Sequence, residues 1–381
     1  MSIERFNIKV SDEVLEDLKY RLDHTRFPVQ LEGLGFERGT DINYLKSLVS
    51  YWRNEFDWRK QEEELNSFNQ FHCEVDGIDI HFIHERGKGP NPIPIILTHG
   101  WPDSFLRYKK LIPMLTDPAS YGGDPYESFD VIVPSVPNFG FSSKPHHGGM
   151  NNYKVSELFA KLMTEKLGYS KFAAAGGDIG SGVTRYLAFN HPELLIGIHL
   201  TDIGIIKDIM ASKDEDLSVE ELQYKKNAAS WMSKEGGYIS IQSTKPQTLA
   251  YGLSDSPVGL AAWIIEKFRD WSDCKGDLNN SFSKDALLTN LMIYWVTNTI
   301  GSSANMYYEN VNSLPKLGYI RVPTAIALLP ADILLPPREC AEKNLNITRW
   351  TTLPRGGHFT AMEEPELMAE DIRAFFRAYR S

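Results

Sequence analysis

The chain opens on a helical hydrophobic period and passes, near residue 70, to the period of strands. In "SDEVLEDLKYRLDHTRFP" the apolar Val14, Leu15, Leu18 and Leu22 recur at helical spacing, behind a Ser/Asp start signal and ahead of a stop at Pro28. "DINYLKSLVSYWRNEFDW" repeats the pattern with Leu45, Leu48, Val49 and Trp52. Tyr51, Trp52, Phe56 and Trp58 crowd this stretch, which implies that residues 1–70 pack against something larger. Beyond them, "FHCEVDGIDIHFIHER" alternates around Asp76-Gly77 and predicts a hairpin. "PIPIILTHG", "FDVIVPSVPNFG" and "KFAAAGG" predict further strands, with helices over 153–167 and "GSGVTRYLAFNHP". Strands alternating with helices argue for a mainly parallel, doubly wound α/β sheet.

Residues 206–315 interrupt that alternation with helical sequence such as "SVEELQYKKNAASWMSKEG" and "PVGLAAWIIEKFRDW". "VPTAIALLP" and "ITRWTTLP" then resume the strands, and "ELMAEDIRAFFRAY" closes the chain as a helix. The pattern predicts an α/β core in two parts, 71–205 and 316–381, with a helical lid inserted over the site.

Charge and cysteine use narrow the partners. A net charge of −10 argues against nucleic acid or an anionic membrane surface. Cys73, Cys274 and Cys340 lie far apart with no CxxC spacing, which excludes a disulfide framework and a zinc ribbon and suits a reducing compartment. "MSIERFNIKV" has no signal-peptide pattern, and no apolar run approaches the roughly 18–20 residues that span a bilayer, so a cytoplasmic protein without a membrane anchor is expected. The pairs His81/His84 and His146/His147 have no carboxylate or thiolate cluster beside them, so no metal site is expected. The acidic "KDEDLSVEE" reads as a solvated helix start or loop.

The candidate chemistry centres on "AAAGGDIGSG". Gly176, Asp178 and Gly180 form the small-x-Asp-x-small pattern of a nucleophile elbow, with aspartate where serine is usual. An isolated aspartate there would simply cap the following helix. The stretch lacks GK[ST] and does not fit GxGxxG, so a phosphate loop is excluded. Four strand ends carry reactive residues: "HGWP" at 99–102, Asp178, Asp332 and "GGHF" at 356–359. Their order of nucleophile, acid, then histidine is that of the α/β-hydrolases.

Five longer blocks, "HGWPDSF", "GGDIGS", "STKPQTLAYGLSDSPVGLAAWIIEKF", "LMIYWVTNTIGSS" and "RGGHFTAMEEPELMAEDIRAFF", together resemble the microsomal-type epoxide hydrolases, and the likeness runs over nearly the whole chain. It implies an α/β-hydrolase core with a helical lid and a helical N-terminal segment packed around it. By position it implies Asp178 as nucleophile, His358 as general base and Asp332 as the acid that orients it. Tyr238 and Tyr307 match the two lid tyrosines, the choice of Tyr307 over Tyr308 resting on the "EN" that follows. Trp101 and Ile179 match the backbone N–H donors of the oxyanion hole. The hydrophobic anchor of the membrane-bound members is missing from this sequence. The implied partners are a small apolar epoxide and water, with no cofactor; a homodimer is admitted, with nothing in the sequence to require it.

Such chemistry explains the aspartate. Attack by serine on an epoxide carbon would leave an ether, whereas a carboxylate leaves an ester that water can cleave. The departing alkoxide needs a proton donor, and neutral phenols supply one. Two other readings compete. A haloalkane dehalogenase would also use an elbow aspartate, but Ile179 stands where its halide-binding tryptophan is expected. A non-catalytic ligand-binding member of the fold would not need the intact Asp178–Asp332–His358 set. Trp231, Trp263 and Trp271 in the lid suit an apolar pocket, although core packing accounts for them equally well.

Overall fold

A computed structural model describes residues 3–380; Met1, Ser2 and Ser381, at the ends of the 1–70 and 316–381 segments, lie outside the described residues. The N-terminal stretch forms a short strand, β1 (Glu4–Phe6), and helices α1 (Asp12–Asp23), α2 (Ile42–Asn54) and α3 (Trp58–Asn66). Asp41 and Asp57 cap α2 and α3 by accepting backbone N–H bonds, as helix starts require. Ser11 stands at the start of α1 as expected, but its side chain makes no capping bond. The periodic Leu45, Leu48, Val49 and Trp52 all face inward and are buried.

Asp76 and Gly77 both take positive φ, the conformation a two-residue hairpin turn demands, and join β2 (Gln70–Val75) to β3 (Ile78–Glu85). Then come β4 (Ile93–Thr98), α4 (Leu111–Thr116), β5 (Phe129–Pro134), α5 (Asn152–Lys161), β6 (Phe172–Gly176), α6 (Ile179–Asn190) and β7 (Leu195–Leu200). The predicted helix over 153–167 is α-helical only to Lys161 and finishes in a wider turn over Leu162–Lys166.

The insertion runs through α7 (Ile206–Ala211), α8 (Val219–Glu235), α9 (Gly237–Thr244), α10 (Pro246–Asp255), α11 (Pro257–Asp270), α12 (Lys284–Thr297) and α13 (Ile300–Asn312). The acidic stretch before α8 is not wholly solvated: Ser218 and Glu221 form a capping box, and buried Glu221 pairs with Lys343. The core resumes with β8 (Ile320–Leu328), α14 (Arg338–Glu342), β9 (Leu345–Thr352), α15 (Thr360–Glu363) and α16 (Pro365–Phe376). No helix among the described residues is long and apolar enough to cross a membrane.

The described residues form one nine-stranded sheet, ordered β1-β2-β3-β5-β4-β6-β7-β8-β9. Pairing is antiparallel from β1 through β3 to β5 and parallel from β5 to β9. Every residue of β5 and β6 is buried, because a parallel sheet is covered on both faces. The parallel strands point their carboxyl ends to one edge, where such sheets hold their ligands. An isolated bridge between Ala331 and Gly357 brings the loops after β8 and β9 together there.

Candidate active site

Asp178 sits between β6 and α6 with φ 55° and ψ −129°, a conformation costly for any residue with a Cβ and characteristic of strained functional turns. The flanking glycines permit it: a Cβ on Gly180 would stand 1.9 Å from the Thr98 carbonyl oxygen, and one on Gly176 would stand 2.4 Å from that of Gly180. The helix can therefore start directly against β4. The turn lifts the Asp178 carboxylate into a donor pair: the Trp101 N–H reaches Oδ1 at 2.8 Å, and the Ile179 N–H is the second donor. Burial pushes the Asp178 carboxyl up, but the neighbouring His358 and these N–H groups outweigh it and hold it below the ordinary range.

His358 enters from the loop after β9. Its Nδ1 is 2.8 Å from Asp332 Oδ1, which fixes the ring's orientation. Its Nε2 has no hydrogen-bonding partner among the described residues and faces Asp178 Oδ2 at 3.6 Å, beyond hydrogen-bonding distance. Burial works to lower the imidazole, yet the two carboxylates prevail and push it up to about 10.

Above this trio stand the tyrosines of the insertion. Tyr238 of α9 and Tyr307 of α13 have ring centroids 5.8 Å apart. The Trp101 indole stacks on Tyr238 at 5.3 Å and meets Tyr307 edge-on at 5.8 Å. Burial, then the nearby Asp178 charge, pushes both phenols well above their usual range, so both stay neutral donors. Tyr308 points away and is 41% exposed. The structure thus brings Asp178, His358, Asp332, Trp101, Ile179, Tyr238 and Tyr307 together. Trp231 and Trp271 also flank Tyr238, whereas Trp263 donates to Gln242 beside it in the insertion. A cavity of about 770 Å³, lined in part by Asn152, Asp178, Arg185 and Asn310, reaches the elbow. A groove of about 800 Å³ between the N-terminal segment and α10–α11 holds none of these residues.

Several supporting groups were not among the residues singled out in the sequence. Buried Asp103 accepts the Gly100 N–H at 2.9 Å and pairs with buried Arg107, which donates in turn to the His358 carbonyl. From α12, Asn290 donates to the Pro102 carbonyl at 2.8 Å and the Tyr294 hydroxyl donates to that of Asp103 at 2.7 Å. The insertion therefore grips the loop that carries Trp101. Buried Lys267 lies over the Tyr238 ring, 5.1 Å from its centroid. Asp202, at the end of β7, accepts the Gly204 N–H at 2.8 Å, and burial pushes its carboxyl up. A signal for Asp103 existed, a carboxylate within "HGWPDS", but nothing marked its buried partner.

His81 is buried on Ser135 and Gln70, and His84 meets the Tyr169 hydroxyl, so neither is arranged as a ligand. Among the described residues, Glu235, Glu266 and Asp270 bring three carboxylate oxygens within 4.8 Å, but Lys267 and Arg269 already engage the last two.

A mainly parallel sheet with an elbow nucleophile, an acid and a histidine on successive strand ends defines an α/β-hydrolase. The family described as "alpha/beta hydrolase fold" matches residues 93–235, and that described as "Epoxide hydrolase N terminus" matches residues 3–108. Epoxide hydrolase 1 of Oryctolagus cuniculus is 39% identical over 410 residues, covering 98% of this chain and 88% of the relative. This chain belongs to the epoxide hydrolase family. The solved juvenile hormone epoxide hydrolase of Bombyx mori superposes with a TM-score of 0.87 at 30% identity, over 100% of this chain and 94% of that one. The Aspergillus niger epoxide hydrolase gives 0.86 at 29% identity, over 99% and 97%.

Proposed function

We propose that the enzyme opens a small apolar epoxide to a vicinal diol through a covalent ester on Asp178. With Oδ1 held by the Trp101 N–H, Oδ2 is the oxygen free to attack a ring carbon. The carbon–oxygen ring bond breaks, and the released alkoxide takes a proton from the Tyr238–Tyr307 pair. Water then attacks the ester carbonyl while His358 Nε2 accepts its proton and Asp332 steadies the resulting imidazolium. Oδ1 carries the developing charge between the Trp101 and Ile179 N–H groups, an interaction worth roughly 2.7–4 kcal/mol per donor. Collapse breaks the ester's acyl carbon–oxygen bond: the leaving diol oxygen takes the proton that His358 holds, and the carboxylic acid left on Asp178 passes its own proton to His358, replacing the one the imidazole gives to the tyrosinate left by ring opening. The observation that carries this reading is the His358 Nε2, without a partner among the described residues and aimed at Asp178 from 3.6 Å, with the phenols of buried Tyr238 and half-buried Tyr307 close by. The indoles of Trp101, Trp231 and Trp271 around Tyr238 favour an apolar substrate.

A single turnover in ¹⁸O-water is the test. The first diol should carry ¹⁶O from the protein carboxylate; solvent label in that diol overturns the mechanism. A panel of aryl, terpene and fatty epoxides then identifies the substrate class, with Asp178→Asn expected to form no ester on any of them.

A further inference from the structure

The four backbone N–H groups around His358 are all held by groups outside the sheet. Gly356 donates to Asp273 Oδ2 at 3.1 Å, Gly357 to Glu363 Oε2 at 3.1 Å, His358 to the Trp271 carbonyl at 2.7 Å, and Phe359 to Glu363 Oε1 at 2.9 Å. Glu363 Oε2 also accepts the Asp273 N–H at 2.7 Å. One carboxylate, at the end of α15, thus binds the residues on both sides of the histidine and the segment of the insertion that follows α11. The fit leaves no slack: a Cβ on Gly357 would stand 2.7 Å from the Trp271 carbonyl oxygen and 2.9 Å from the Asp273 nitrogen. On its outer side the Trp271 ring meets the imidazole edge-on at 5.3 Å.

We infer that Glu363 is a positioning residue for the water-activating step, locking the 356–359 loop to the insertion so that Nε2 stays aimed at Asp178 while Nδ1 keeps Asp332. This rests on the ester mechanism proposed above. Asp332 fixes how the ring is turned; it does not fix where the loop carries it. Asp273, the Trp271 carbonyl and Arg107 each hold one group of that loop, whereas Glu363 takes both N–H groups that flank the histidine, and a carboxylate has two acceptor oxygens where an amide has one. Glutamine at this position would set its own N–H₂ against a backbone donor and leave that donor unpaired. Ester formation draws on Asp178 and the tyrosines, none of which is hydrogen-bonded to Glu363, so displacing the histidine falls on the second step alone.

The test is a rapid-quench series on Glu363→Gln, with intact-mass detection of the ester. Ester cleavage should slow by about 10- to 100-fold while ester formation changes less than about twofold, since an ångström of misplacement costs up to two orders of magnitude. The ester should then accumulate, and kcat and KM should fall together. Gly357→Ala, which pushes the same loop from the insertion side with Glu363 intact, should give the same split and carries the test if Glu363→Gln does not fold. Wild-type ester cleavage in the folded variants, or equal slowing of both steps, overturns the assignment. Absence of any ester, in the wild type and in His358→Gln alike, overturns the mechanism and this inference with it.

Discussion

At the scale of single residues, His358 is held by charge as much as by geometry. Burial draws its imidazole down, but Asp332 and Asp178 push it up to about 10, which favours the imidazolium in the resting enzyme. A general base must be neutral, and in the proposed mechanism the first step makes it so: esterification removes the Asp178 charge that helped hold the proton, and the tyrosinate left by ring opening takes it. NMR titration should therefore find His358 ionising near 10 in the wild type and clearly lower in Asp178→Asn, whose amide imitates the uncharged ester; an unchanged titration would contradict this. The sign for stability follows from the raised value. The contribution of this pair is fully present below the ordinary histidine value of about 6.5 and is lost as pH rises through about 10, so Asp178→Asn should flatten that part of the stability profile. The phenols make a second contrast. Tyr307→Phe should slow ester formation by at least about 10-fold, the lower end of what a positioned proton donor contributes being larger still, while exposed Tyr308→Phe should match the wild type. Of the residues gathered around Asp178, the two acids and the histidine were legible because the fold restricts them to strand ends, whereas Tyr238 and Tyr307, on helices of the insertion, were placed by the family resemblance alone. Glu363 and Arg107 were not legible: Glu363 accepts backbone N–H groups, one of them at Asp273, 90 residues away, and Arg107 ties Asp103 to a His358 carbonyl 251 residues away.

At the scale of elements, the elbow depends on how closely α6 approaches β4. Gly180→Ala would place a methyl group 1.9 Å from the Thr98 carbonyl oxygen, which neither the strand nor the helix can yield without moving Asp178. Equilibrium denaturation should record a loss of about 1–3 kcal/mol, the usual cost of overpacking, and ester formation should slow because Oδ1 leaves the Trp101 N–H. That turn was visible as a string of small residues around an aspartate, and the Asp76-Gly77 hairpin was visible for the same reason: each needs a backbone few residues adopt. Strands β1 and β7 and helices α3, α4 and α14 were not. β1 has three residues and no buried position to give it a period; it exists only through Glu4, Arg5 and Phe6 pairing with β2. β7 follows α6 after one short turn and carries Gly197, so its run is brief and its evidence is its parallel partners, β6 and β8. α3 begins at Trp58, inside what the period marked only as aromatic and helical.

Across the whole molecule, the helical insertion is held from two directions. The core holds it at the histidine loop, through Trp271 and Asp273, and at the Trp101 loop, through Asn290 and Tyr294. The N-terminal segment braces its far side: Thr40 donates to the Ala262 carbonyl at 2.7 Å, Tyr51 to Asp285 at 2.8 Å, and Thr289 of α12 to buried Gln61 at 3.1 Å. Arg21 reaches Asp255 on α10 at 2.7 Å, an exposed pair that adds little by itself. The strength of the brace is instead apolar, with Leu45, Leu48, Val49 and Trp52 of α2 buried in the same continuous core as Leu260, Ile264 and Phe268 of α11. The crowded aromatics near residue 50 implied such a partner without identifying it, because the surface they cover lies some 200 residues later in the chain. If the brace is what sets the height of the tyrosines, damage to α2 must be felt at the site. Trp52→Ala should cost about 3–5 kcal/mol and raise backbone hydrogen exchange in α11 and α12 as well as in α2, while β4 to β6 keep their protection. Ester formation should slow in step with that loosening, because Tyr238 and Tyr307 ride on the insertion. Exchange confined to α1–α3, with unaltered turnover, would instead make the N-terminal segment a separate folding unit that merely rests on the enzyme.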